Sequence, residues 1–138
     1  MIDSRRRALI ESFERMGLMK TLNVRVERVE PGLVALSMPI SSAISQQHGV
    51  AHAGASFSLG DSASGYAALT MMPDGAEVMT VEMKINLIAP AMGRRLVATG
   101  EVLKSGRRLS VTRCTVQAEL EDGTLRDVAL LQGTMIPV

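Results

Sequence analysis

Aromatic side chains are almost missing from this 138-residue sequence, which has no tryptophan, one tyrosine and two phenylalanines. Without rings there is no platform for stacked bases, and a formal net charge of +1 leaves no electrostatic excess to hold a phosphate backbone. Nucleic acid is therefore excluded as the expected partner. The single cysteine, Cys114, cannot form an internal disulfide. No apolar run is long enough for a membrane span or a signal peptide, and the N-terminus carries Arg5, Arg6 and Arg7. The expectation is a soluble, cytoplasmic protein without membrane association whose partner is a small molecule. At this length one domain, residues 1–138, can bury a core without disulfide support.

What is present is a change of period along the chain. Leu9, Ile10, Phe13 and Met16 recur at helical spacing between Ser4, a candidate N-cap, and Gly17, a candidate C-cap, which predicts an N-terminal helix within residues 1–18. Alternation follows. Val24, Val26 and the segment 33–38 flank Glu30-Pro31-Gly32 as a hairpin. After a loop at 39–53, residues 54–72 read as a long helix ending before Pro73-Asp74-Gly75. Four further strands are expected at 78–88, 96–104, 108–120 and 125–136. The first alternates with Val81, Met83, Ile85 and Leu87 on one face and Thr80, Glu82, Lys84 and Asn86 on the other. Short links between these four strands predict an antiparallel meander.

The long helix is a poor helix by propensity. Gly60 and Gly65 each cost about 1 kcal/mol relative to alanine, and four serines add little. Phe57, Leu59, Ala63, Tyr66, Ala67 and Leu69 do not gather on one stripe, so enclosure on most sides is expected, as by a sheet that curls around it. The class is α+β.

The stretch Gln46-Gln47-His48-Gly49-Val50-Ala51-His52-Ala53-Gly54 runs into that helix, where unpaired N–H groups and the positive dipole end favour a developing negative charge. Asp61 stands two turns further in, among small and apolar residues. An acid there is costly unless paired, hydrogen-bonded or used. The bland alternative is a surface acid on a helix.

Gln46, Gly49, His52, Gly54 and Asp61 stand in the register of an Asn, Gly, His-Gly-Gly and helix Asp pattern. With Thr80 to Asn86 and Gly106-Arg107-Arg108, the chain from about residue 20 onward resembles the hotdog-fold acyl-CoA thioesterases of the phenylacetate-degradation type. That resemblance implies a hotdog fold, in which a curved antiparallel sheet of about six strands wraps one long central helix. It also implies hydrolysis of an acyl-CoA thioester to a free acid and CoA. Gln46 stands where Asn is commoner, and Ala53 replaces the first Gly of the pair.

The roles implied are specific. Asp61 is the general base or nucleophile, and Gln46 orients water or substrate through its amide. The backbone N–H groups of Ala53 and Gly54 polarise the thioester oxygen. Thr80 is a secondary candidate for holding Asp61 or the water. His52 takes a structural hydrogen-bonding role at the substrate site, and His48 has no position in the pattern. Lys104, Arg107 and Arg108 flank a turn where they can meet CoA phosphates, with solvated charge as the equal alternative. Cys114 reads as a buried thiol rather than a nucleophile. Two histidines and a separated acid do not make a metal set, so no metal or other cofactor is expected. Ten methionines are compatible with a flexible apolar lining. Asp61 lies about 10 Å along the helix from Gly54, so a site shared between two chains is expected. The oligomer is then at least a dimer, with a tetramer as the larger alternative. Rival readings are a hotdog enoyl-CoA hydratase or dehydratase, which wants His52 paired with an acid, and a non-catalytic acyl-CoA sensor.

Overall fold

The computed structural model describes residues 3–47 and 49–138. Its elements are α1 (Asp3–Glu14), α2 (Gly17–Thr21), β1 (Arg25–Glu30), β2 (Leu33–Pro39), a 3-10 turn (Ser42–Ile44), α3 (Ala53–Leu69), β3 (Val78–Leu87), β4 (Arg95–Ser105), β5 (Ser110–Glu119) and β6 (Leu125–Pro137). The six strands form one antiparallel sheet in the order β1-β2-β4-β5-β6-β3, curved around α3 in the hotdog arrangement.

The sheet face toward α3 is built from rows that run across the strands. Leu36, Ala98, Val116 and Ala129 are register partners in one row, and Val34, Gly100, Cys114, Leu131 and Ile85 form the next. Small residues on both sides let the helix lie close. A methyl group at Gly100 would come within 2.6 Å of the Ala63 carbonyl and 2.7 Å of the Ser64 nitrogen, so helix backbone rests directly on strand backbone. Eleven residues of α3 are buried, including Ser56, Ser62 and Ser64. Enclosure therefore holds this helix, as its scattered apolar residues predicted.

Four expectations need correction. First, the four later strands are not one meander: β4, β5 and β6 are, but β3 pairs with β6 at the sheet edge. The link from Ile88 to Arg94 runs along the end of the sheet, its N–H groups bonding Val128 O and Glu119 O, while Ala91 O accepts from Ala51. Seven residues can span up to about 23 Å, and three strand spacings need only about 14 Å, so a short link does not force neighbours together.

Second, α3 starts at Ala53 and ends at Leu69, short of residue 72. Thr70 closes it by donating to Ala67 O at 2.6 Å and accepting from Gly32 N–H at 2.8 Å. Third, the N-terminal helix is two pieces. Met16 is extended, with ψ 104°, so Gly17 begins α2 rather than capping α1, and Ser4 lies inside α1. The two pieces each anchor a buried side chain, Leu9 and Met19, in the core. Met1 and Ile2, within the expected helix, lie outside the described residues. Arg5 ties α1 to the end of α3 by donating to Thr70 O and Met72 O and pairing with Asp74.

Fourth, the alternation of β3 is interrupted by a bulge between Thr80 and Glu82. The extra residue, Val81, reverses the parity of the strand. Met83 and Ile85 face the core as expected, but Thr80 joins them on the helix side instead of sharing the outer face with Glu82 and Lys84.

Gly100→Ala should lower stability by about 2 kcal/mol or more, because the methyl meets backbone that cannot step aside. Urea denaturation of the folded variant measures this, and a midpoint within error of the wild type would contradict the close approach.

Candidate active site

The segment before α3 is a tight loop closed on itself. Gln46 N–H donates to Val50 O at 2.8 Å and Gly49 N–H to Gln46 O at 3.0 Å, with Gly49 at φ 81°, where a side chain would strain the turn. His52 N–H donates to Ile44 O at 2.7 Å, which fixes the entry angle of the helix. His52 then caps α3, its Nδ1 accepting from Gly54 N–H at 2.8 Å. This is the structural hydrogen-bonding role expected of it. His48 lies outside the described residues.

The cap changes the expectation for the helix-start amides. Gly54 N–H is occupied by the imidazole and is not open to a substrate oxygen in this conformation. Ala53 N–H has no partner among the described residues and is the outward-pointing donor at the positive end of the helix.

Asp61 is half-buried and makes no ion pair among the described residues. Thr80 Oγ1 donates to its Oδ1 at 2.7 Å, and Met135 Sδ lies 3.2 Å from the same hydroxyl. The β3 bulge delivers this contact, because it turns Thr80 inward. Its sequence signal was the bare candidacy of Thr80, since the regular alternation pointed the hydroxyl away.

Asp61 is eight residues beyond Ala53, which is about 12 Å along the helix axis. One chain therefore does not bring the open amide and the carboxylate to the same point. Cavities of about 890 Å³ beside Met19, Arg95 and Glu119, about 420 Å³ beside Arg5 and Pro73, and about 590 Å³ beside Lys84 and Arg113 lie elsewhere on the chain.

Lys104, Arg107 and Arg108 are exposed on the β4–β5 turn and make no ion pair among the described residues. The register row Ser110, Met135, Thr80 places this turn at the same end of the sheet as Thr80, two strand spacings or about 10 Å across. The described residues contain no group of three His, Cys, Asp or Glu placed to hold a metal, and no helix long and apolar enough to cross a membrane.

Residues 48–123 match the sequence profile of the thioesterase superfamily, and the chain belongs to that family. It is a thioester hydrolase by descent and fold. A thioesterase family protein of Silicibacter pomeroyi superposes with a TM-score of 0.94 at 40% identity, over 97% of this chain and 98% of that one. The PaaI protein of the Escherichia coli phenylacetic acid degradation operon shares the fold, with a TM-score of 0.85 at 21% identity over 97% and 93% of the two chains. The 1,4-dihydroxy-2-naphthoyl-CoA hydrolase of Listeria monocytogenes is 24% identical over 77% of this chain and 86% of its own length.

Cys114 is buried, 2% exposed, and loss of solvent pushes its thiol up to about 12. Folding thus holds the proton on the sulfur. The stability this contributes is fully present below the ordinary thiol range and is lost as pH rises toward about 12. Native protein at pH 8 should leave Cys114 unreacted toward an aromatic disulfide reagent while urea-unfolded chain reacts at once. Rapid labelling of the native state would contradict the burial.

Proposed function

We propose that the chain hydrolyses an acyl-CoA thioester to a free carboxylic acid and CoA, with Asp61 as the reacting carboxylate. The observation that carries this reading is the contact of Thr80 Oγ1 with Asp61 Oδ1 at 2.7 Å. One oxygen is pinned by a neutral donor, and Oδ2 has no partner among the described residues. An acid spent on a structural ion pair would look different. Here the threonine is a positioning residue that fixes the plane of the carboxylate, which leaves Oδ2 directed at water or at the thioester carbon.

As a general base, Asp61 takes a proton from water, whose oxygen adds to the thioester carbon. The tetrahedral intermediate then expels the CoA thiolate, which takes up a proton to leave as the thiol. Ala53 N–H, at the helix start, stabilises the oxyanion in between. Gln46 orients the water or the thioester through its side-chain amide. Lys104, Arg107 and Arg108 face the CoA phosphates. The choice of CoA follows the name of the Listeria relative and the cations at the end of β4 and on the β4–β5 turn, which have no ion pair among the described residues. These steps need only water and the chain's own groups.

The 12 Å separation of Ala53 from Asp61 is met by a dimer in which the loop of one chain faces the helix acid of the other. The two edges of the sheet differ in the way this requires. The β1 edge exposes Arg25, Glu27, Arg28 and Glu30, charges that discourage further pairing, whereas the β3 segment exposes Met79, Val81, Leu87 and Ile88, each more than half exposed, alongside Glu82 and Lys84. A second copy covers the apolar edge. The hydratase alternative wants a histidine paired with the acid, but His52, the one histidine among the described residues, already has its Nδ1 engaged by Gly54 N–H.

Asp61→Asn should keep the fold and acyl-CoA binding while kcat falls by about 100-fold or more, as expected for loss of a positioned base. Thiol release across short, long and aromatic acyl-CoAs measures it, and near-normal turnover in the folded variant would remove Asp61 from the mechanism.

A further inference from the structure

Next to the Thr80–Asp61 pair the sheet has a gap filled by a side chain from the wrong strand. Gly133 of β6 is the register partner of Met83 of β3, and both face α3 in the row that continues through Thr112 and Val102. A methyl at 133 would come within 2.6 Å of Met83 Cε and 2.8 Å of its Sδ. The end of the Met83 side chain therefore lies flat over Gly133, where a β6 side chain would otherwise stand.

Its surroundings are apolar and directly adjoin the proposed reacting group. Met83 packs against the cluster of Ala68, Met72 and Met135, and Met135 touches the Thr80 hydroxyl that holds Asp61. Met72 and Met135 are buried, whereas Met83 is only half-buried. Of the three thioethers in this cluster, Met83 is the least buried. Three rotatable bonds and no branch let it swing without disturbing backbone. With Met83 swung aside, Gly133 becomes the floor of a narrow slot, rimmed by the Glu82 carbonyl and lying in the row next to Thr80 and Met135.

We propose that this slot takes the acyl tail of the substrate and that Met83 sets the length and bulk of tail accepted. The inference rests on the acyl-CoA reading above and adds the residue that selects among acyl groups. Asp61, held by Thr80, engages the thioester at the mouth, the tail runs between α3 and the β3–β6 pair, and the Met83 thioether closes the slot behind it. A short acyl group leaves Met83 over Gly133. A longer one displaces it.

The test compares Met83→Ala and Met83→Phe with the wild type, by thiol release from acetyl-CoA and octanoyl-CoA and by the melting temperature of each protein. Removing the side chain should raise the ratio of octanoyl to acetyl kcat/KM by about tenfold, and filling the slot with a ring should lower it by a similar factor. A folded Met83→Ala protein with an unchanged ratio overturns the proposal while leaving the thioesterase reading in place. A wild type that releases thiol from neither substrate nor from aromatic acyl-CoAs overturns both. Should the alanine variant fail to fold, the phenylalanine variant decides alone: a lowered ratio supports the slot, and an unchanged one refutes it.

Discussion

Everything in this chain is arranged around one close approach, the seating of the α3 backbone at Ala63 and Ser64 on Gly100 of β4. Side chains normally stand between a helix and a sheet, and here a bare strand residue lets the two backbones meet. The closeness explains the composition of the helix. Large apolar residues would not fit beneath it, so Ser56, Gly60, Ser62, Ala63, Ser64 and Gly65 occupy its length, at a cost in propensity that burial offsets. It also explains why the helix is buried on most sides, since five of the six strands pack against it.

The same geometry creates the candidate site. A helix held this tightly presents Asp61 at a fixed height above the sheet, and the β3 bulge brings one hydroxyl, Thr80, to meet it. Neither feature acts alone. Without the bulge Thr80 would face outward, and without the close seating the carboxylate would sit beyond its reach. The Met135 thioether lies against the same hydroxyl, so the pair has a polar contact at the carboxylate and an apolar one beside it. Such a boundary suits a reaction in which a charged group attacks the head of an apolar tail.

Much of this was legible in the residues. The six strands, the central helix and its enclosure followed from period and from the scatter of its apolar positions. Turn residues such as Pro31-Gly32 and Asp122-Gly123 marked hairpins that are present. The strand order was not legible, because the Ile88–Arg94 link is long enough to cross two strands and nothing in its composition says that it does. The parity change at Val81 was hidden for a related reason. A bulge adds one residue without altering the apparent alternation of Val81, Met83, Ile85 and Leu87, so the reading placed Thr80 on the outer face. At the helix start, the family resemblance pointed to His52 and Gly54 but not to the one occupying the N–H of the other. That bond depends on the ψ of 143° at His52, which no residue type dictates. Arg5 gave no signal at all, since a guanidinium that closes a helix 65 residues away in sequence looks like any charge on a terminal helix.

In the proposed mechanism Asp61 and the Gln46 loop act on one thioester from two different chains. Co-expression of Gln46→Ala chains with Asp61→Asn chains, each homodimer first shown to be nearly inactive, tests it most directly. Random pairing makes half of the dimers mixed, and each mixed dimer regains one intact site of two, so the mixture should recover about a quarter of wild-type thiol release. Mixed dimers that form and remain inactive would place Gln46 and Asp61 within one chain and contradict the shared site.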